Sequence, residues 1–313
     1  MRLGADHVRV RVPATSANLG PGFDAFGVAL GLHDELEVRA LGSPGVRVEV
    51  TGEGAGQVPD DEQHLVVSSL RTALDLVGAP QTGLHLVCHN RIPHGRGLGS
   101  SAGAVVAGIV AARGLIAEPD ALPDDVVLDL AAQIEGHPDN AAPAVLGGAT
   151  LAWRDDRFRA VGLAVHDDVA LLAIVPPNHL STKAARGVLP ATVPHADAAF
   201  QAGRAALLVE ALGRRPELLL AATEDRLHQE YRRSVMPASL ALVDVLRAQG
   251  VAAVVSGAGP TVLALGRRLG STDGVVSTDA DEAVRAAFGG AMGGWRILPL
   301  PVAREGATVQ QVT

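Results

Sequence analysis

This chain of 313 residues is poor in aromatics, contains one cysteine and one lysine, and has no long apolar run. Each shortage excludes something. With Cys88 alone, no intramolecular disulfide forms and no cysteine-rich metal site exists, the pattern of a reducing compartment. The opening residues MRLGADHVRVRVPA lack the apolar stretch of a secretory signal. The longest apolar run, Gly103 to Ala112, stops at Arg113, too short to span a bilayer. These features predict a soluble, cytoplasmic protein. Aromatics make up 3%, so Val, Leu and Ala must build the core. The net charge of -8 argues against a nucleic-acid or anionic-membrane surface, since both require basic patches. A local cationic pocket for a small anion stays open. Lys183 is the only lysine, so arginine does nearly all the cationic work.

What is present is ample apolar material: 48% hydrophobic against 19% charged residues, enough for two packed lobes. Period-two alternation predicts strands at Val8–Val12, Leu36–Leu41 and Val46–Thr51. A helix is expected from Gln63 to Val77, a strand at Leu84–His89, a helix from Ser101 to Leu115 and another from Asp124 to Glu135. The Ser101 helix is apolar nearly all round, hence buried. Strands at Ala149–Trp153 and Val169–Val175 follow, then helices at Asp197–Leu212, Pro216–Gln229 and Leu240–Gln249. Strands Val251–Val255 and Val262–Leu265, a helix near Asp281–Phe288 and a strand at Trp295–Leu300 complete the set. The glycine- and polar-rich stretch Gly266–Asp281 reads as a loop. This order fits an α+β fold with lobes near 1–160 and 161–313.

The densest chemical signal is Pro93-His94-Gly95-Arg96-Gly97-Leu98-Gly99-Ser100-Ser101-Ala102-Gly103, between a strand and the buried helix. Glycines allow positive φ and close ligand approach to backbone N–H groups, and a helix N-terminus favours anions. Ser100 and Ser101 add hydroxyls for a phosphate or a hard cation. Gly97-x-Gly99-x-x-Ala102 also matches a dinucleotide fingerprint, which requires a second strand ending in an acid. Leu115–Asp125 holds Pro119 and Pro123 and no strand pattern, so that reading fails. A Walker A loop fails for want of Gly-Lys-Ser/Thr.

The string P-x-x-x-G-L-G-S-S-A resembles the nucleotide-binding motif of the GHMP kinases, with no departure from Pro93 to Ala102. The family's two other signatures are similar to Pro13-Ala14-Thr15-Ser16-Ala17-Asn18-Leu19-Gly20-Pro21-Gly22-Phe23-Asp24 and Ser256-Gly257-Ala258-Gly259-Pro260-Thr261. The first string, Glu135-Gly136-His137-Pro138-Asp139-Asn140, Ser181–Arg186 and His228–Arg232 resemble the homoserine kinase branch. The resemblance runs from about Val8 to Leu265. It implies a two-lobe fold, with a ribosomal-protein-S5-like N-terminal lobe and a ferredoxin-like C-terminal lobe. It also implies ATP and Mg²⁺, L-homoserine as substrate, a step in threonine biosynthesis and a homodimer.

Carried over, the resemblance makes Pro93 to Gly103 the ATP loop and gives Mg²⁺ to Ser101 and Glu135. It lines the amino-acid pocket with Asn18, Asp24, His137, Asp139, Asn140, Thr182, Arg186, Arg232 and Gly259. A zwitterion suits such a set: two arginines for a carboxylate, acids and amides for an ammonium and a hydroxyl. Asp24 is the nearest candidate base, with Asn140 orienting the hydroxyl. Plainer readings stand beside these. Asp139 could cap the next element, Asn18 and Asp24 could be turn residues, and each arginine could be solvated. Glu135 sits at a helix C-terminus, where a carboxylate is disfavoured unless a cation is present. Another small alcohol, mevalonate-like or a sugar, is the alternative acceptor, and a catalytically inactive binding module the alternative class.

Overall fold

The computed structural model describes residues 1–272, 275–289 and 293–312. In chain order, β1 (His7–Ala17), β2 (Phe26–Leu41) and β3 (Val46–Gly52) precede α1 (Leu65–Leu76), β4 (Gly83–Asn90), α2 (Ser100–Leu115), α3 (Asp124–Glu135) and α4 (Ala141–Leu146). Next come β5 (Ala149–Arg154), β6 (Phe158–Leu163), β7 (Val169–Val175), α5 (Thr182–Gly187), α6 (His195–Gly213), α7 (Leu219–Ala222) and α8 (Pro237–Ala248). The chain closes with β8 (Ala252–Val255), β9 (Val262–Thr272), β10 (Val275–Thr278), α9 (Asp281–Ala287), β11 (Arg296–Leu300) and β12 (Thr308–Gln311).

Two sheets result. The first runs β12-β1-β2-β4-β3, with β5 on β2 and β6 on β5; the second runs β10-β9-β7-β11, with β8 on β9. Among the described residues only β3 and β4 pair in parallel, because α1 supplies the crossover that a parallel pair needs. In β1 the alternation works as expected: Val8, Val10 and Val12 face inward while Arg9 and Arg11 face water. From Pro13 to Ala17 the strand is buried throughout, where it enters the junction of the lobes.

Helix α2 is the central post, with twelve of its sixteen residues buried, as its all-round apolar sequence requires. It lies almost backbone to backbone against α1, since a Cβ on Gly108 would meet the Val66 carbonyl oxygen at 2.4 Å. One apolar cluster fills the space under the first sheet. Another is shared between lobes: Leu19, Val28, Ile92 and Leu98 pack with Leu171, Ala173, Leu208, Val254 and Leu263. The glycine-rich loop is therefore pinned at Leu98 inside the common core.

Besides α4, α5, β6 and the first half of β2, which the periodicity does not predict, the structure departs from the expected elements in three places. The helix expected over Pro216–Gln229 breaks after α7. There Thr223 Oγ1 bonds back to the Leu219 carbonyl at 2.8 Å, and the buried Asp225 carboxylate accepts the N–H groups of Leu227, His228 and Gln229. The expected loop Gly266–Asp281 holds instead the continuation of β9 and its antiparallel partner β10. The expected boundary at 160 falls inside β6, and β12 returns to pair with β1, so the first sheet takes its last strand from the chain's end.

Candidate active site

The three glycine-rich segments, far apart in sequence, meet at the lobe junction. Asn18 Nδ2 donates to the Gly257 carbonyl at 2.9 Å, and the Gly257 N–H donates to the Ala17 carbonyl at 3.0 Å. Ser256 Oγ donates to the Gly97 carbonyl at 2.6 Å, and the Thr15 N–H donates to the Leu98 carbonyl at 3.1 Å. Strain accompanies this junction. Among the described residues, Asn18, Leu19 and Asp24 are the non-glycine residues at positive φ, all in the first segment, at +70°, +47° and +56°. Such backbone costs about 1–3 kcal/mol per residue and persists where surrounding contacts enforce it.

Gly95, Gly97 and Gly99 adopt φ of +62°, +74° and +70°. Positive φ at alternate positions builds a concave turn of N–H groups that cradles an anion. Gly99 precedes α2 and brings no side-chain cap, so the donors of the first helical turn stay available. At this mouth Ser101 Oγ donates to Glu135 Oε1 at 2.7 Å. Helix α3 ends at Glu135 because Gly136 takes the left-handed C-cap at +84°. A hydroxyl beside a carboxylate is a two-oxygen partial shell for a hard cation that keeps waters and phosphate oxygens as its other ligands. No group of three or more His, Cys, Asp or Glu able to hold a metal occurs among the described residues.

A crevice of about 140 Å³ opens between loop and lobe. Its walls carry Asn18, His137, Asp139, Asn140, Thr182, Arg186, Arg232 and Gly259 alongside Gly95, Gly97, Gly99, Ser100, Ser101, Ala102 and Glu135. Asp24 is not on the wall; its two carboxylate oxygens are held by the fork of Arg186. Pro93, Arg96, Leu98 and Gly103 do not line it either. Pro93 and Leu98 are buried anchors, and Gly103 points at Val12 and Ile92 in the core. Arg96 donates to the carbonyls of His94, Pro176 and Pro177, tying the loop to the segment that leads into α5.

Electrostatics in the crevice follow from pairing. The Asp24 carboxylate raises Arg186 above its ordinary value. The buried Asp139 accepts from His137 Nδ1 at 2.8 Å, and this bond raises the imidazole. Asp139 is thus not the cap of α4; that place belongs to Asn140, whose Oδ1 accepts from Thr15 Oγ1 at 2.8 Å. Arg232 is 1% exposed, and burial lowers it to about 10, leaving it charged at neutral pH. Its Nε donates to Ala185 O and its Nη1 to His228 Nδ1 and Gly257 O, while Nη2 has no protein partner among the described residues. The fork expected of Arg232 is therefore mostly consumed by the protein, with one nitrogen left for the crevice.

Sequence reasoning missed a second cavity of about 280 Å³ across the loop, sharing Ser100 and Ser101 with the first. Val12, Leu36, Val66, Ala104 and Ala107 give it an apolar lining, with His94, Asp34, His64 and Asn90 among its polar groups. Apart from His94 of the glycine-rich loop, these are isolated residues from β1, β2, β4, α2 and the start of α1 that form no linear signal. Asp34 Oδ1 accepts the N–H groups of Arg91 and Ile92, yet burial pushes the carboxyl up to about 6. Burial with Asp34 nearby pushes Cys88 up to about 12, so it stays a thiol. A raised carboxyl binds its proton more tightly in the folded state, so it destabilises the fold as pH rises from about 4 through about 6. Asp34→Asn keeps the acceptor and removes that charge. Its melting temperature should exceed the wild type's by a few degrees, roughly 2–4 °C per kcal/mol, at pH 8 and match it below pH 4. Equal gains at both pH values in calorimetry would contradict this.

Models of the GHMP kinases N terminal domain and C terminal domain match residues 64–148 and 198–288. A homoserine kinase of Streptomyces coelicolor is 55% identical over 96% of this chain and 94% of its own length. One from Clavibacter michiganensis is 50% identical over 97% and 94%. The crystal structure of homoserine kinase from Cytophaga hutchinsonii superposes with a TM-score of 0.82 at 28% identity, covering 98% of each chain.

Proposed function

The chain belongs to the homoserine kinase branch of the GHMP kinase family and is an ATP-dependent kinase; we propose that it carries the γ-phosphoryl group of ATP to the side-chain hydroxyl of L-homoserine. The products are O-phospho-L-homoserine and ADP, a step toward threonine, and we place it in the cytoplasm, where ATP is made and used. The observation that carries the reading is one crevice that combines two kinds of binding group. Its lining joins a cradle of N–H groups and the Ser101–Glu135 pair to buried Arg232, whose Nη2 has no protein partner among the described residues.

Phosphoryl transfer asks for alignment and charge neutralisation more than for covalent chemistry. The glycine loop and the first turn of α2 neutralise phosphate oxygens. Ser101 and Glu135 fit Mg²⁺, which when bound draws charge off the β- and γ-phosphates. Arg232 Nη2 takes the amino-acid carboxylate. Asp24 and Arg186, already an ion pair, exchange with the zwitterion: Arg186 turns to the carboxylate and Asp24 to the ammonium. The acids on the wall are Glu135, beside Ser101, and Asp139, held by His137. Asp24, with both oxygens on Arg186, is not aimed at a hydroxyl as a base would be. Asn140 and the fixed geometry orient the hydroxyl, which loses its proton late, to an oxygen of the transferred phosphoryl group and from there to water. The apolar second cavity, reached through Ser100 and Ser101, takes the nucleoside.

The deciding experiment couples ADP release to acceptors L-homoserine, L-serine, L-threonine and mevalonate. Homoserine should exceed the others by about 10²-fold or more in kcat/KM, the scale of a missing polar or methylene contact. Mevalonate turnover equal to that of homoserine would sink the assignment. Glu135→Gln keeps the partner of Ser101 but removes the charge, and should raise the Mg²⁺ concentration for half-maximal rate by about tenfold or more. Isothermal titration of Mg²⁺ into the ATP complex gives the same measure without turnover.

A further inference from the structure

Arg232 reaches the crevice from inside the protein, and what aims it is a histidine without an assigned role. His228 is fully buried. Its Nε2 lies 2.7 Å from the carbonyl oxygen of Gly20, which only accepts, so Nε2 carries the hydrogen. Nδ1 is then the bare nitrogen, and it accepts from Arg232 Nη1 at 2.8 Å. The ring stacks on Phe23 at 5.1 Å, and Phe23 also lies under both guanidinium groups, at 5.5 Å from Arg186 and 5.8 Å from Arg232. Both Gly20 and Phe23 belong to the strained turn that holds Asn18 and Asp24.

We propose that His228 is a positioning residue for the amino-acid substrate: as a neutral, singly oriented imidazole it links the turn Gly20–Asp24 to Arg232 and turns the free Nη2 of Arg232 toward the substrate carboxylate. This rests on the reading of the crevice as the homoserine site. A rigid ring suits the task because it donates at one end and accepts at the other. Protonation would set an N–H of the ring against an N–H of Arg232. Burial lowers this histidine, opposed by Asp225 at 3.6 Å from Nε2 and by Asp24, and reinforced by Arg232, so the neutral ring is the form at physiological pH.

Two substitutions separate the ring's ends. His228→Asn retains an acceptor near the place of Nδ1, whereas His228→Gln retains a donor near Nε2. If His228 aims Arg232, the Gln variant raises KM for homoserine by about tenfold or more, and the Asn variant recovers most of that loss. KM for ATP stays within about twofold in both. Homoserine KM that follows melting temperature in both variants, or is unchanged in Gln, would overturn the proposal. Should the variants fail to fold, ¹⁵N-histidine spectra of the wild type decide. A pyridine-type Nδ1 and pyrrole-type Nε2 that shift on adding homoserine support the role; the opposite tautomer, or no response, ends it. Wild-type protein that does not phosphorylate homoserine would remove the crevice reading itself, independently of the tautomer.

Discussion

Gly99→Ala should lower kcat/KM for ATP by about 10²-fold or more, the scale of a displacement near 1 Å in a reacting constellation. At φ +70° an alanine meets the left-handed penalty of about 1–2 kcal/mol, and that alone is tolerable. The larger effect is steric. Its Cβ would fall 1.9 Å from Thr15 Oγ1 and 3.1 Å from Asn140 Oδ1. Neither can give way cheaply, because they bond to each other and Thr15 lies in the buried end of β1. The loop must shift instead, and its N–H groups move off the phosphates. Gly78→Ala supplies the control: φ is +63° there, but the space beside it is open. That variant should lose about 1 kcal/mol of stability, with steady-state constants unchanged. Equal kinetics for the Gly99 variant and the wild type would show that the loop does not position phosphate.

Arg232→Lys should raise KM for homoserine by about 10²-fold, with KM for ATP within about twofold. A guanidinium serves Ala185 O, Gly257 O and His228 Nδ1 and still turns Nη2 outward; a compact ammonium reaches fewer of these at once. The acceptors left behind are buried, and each unsatisfied one costs about 1–3 kcal/mol. Stability should therefore fall together with substrate affinity. Initial-rate kinetics at varied homoserine, read beside a melting curve, test both parts, and an unchanged homoserine KM would refute the assignment.

How much was legible depended on range. The loop from Pro93 to Ala102 announced itself because anion cradling needs glycine and serine at fixed short spacing, and the positive-φ glycines sit at 95, 97 and 99. The buried helix behind it was plain from its composition. Family resemblance, not spacing, proposed Ser101 with Glu135, and these two lie 2.7 Å apart. The pairing of Asp24 with Arg186 was hidden, and so was the partnership of Asn18 with Gly257, because they join residues separated by 162 and 239 positions. The expected helix at Pro216–Gln229 misread a segment whose periodicity is helical but whose Asp225 captures the next turn's N–H groups.

The amino-acid sequence by itself determined the parts that local forces set: alternating strands, an apolar central helix, and glycines placed where only positive φ serves. Tertiary structure alone decided which groups are free to act. It paired Asp24 with Arg186, turned most of the Arg232 fork inward, and opened a second cavity lined by Asp34 and His64. The physical reason is that hydrogen-bond satisfaction and burial are properties of an environment. A polar side chain is available for chemistry only when its neighbours in space leave it unpaired, and those neighbours come from the whole chain.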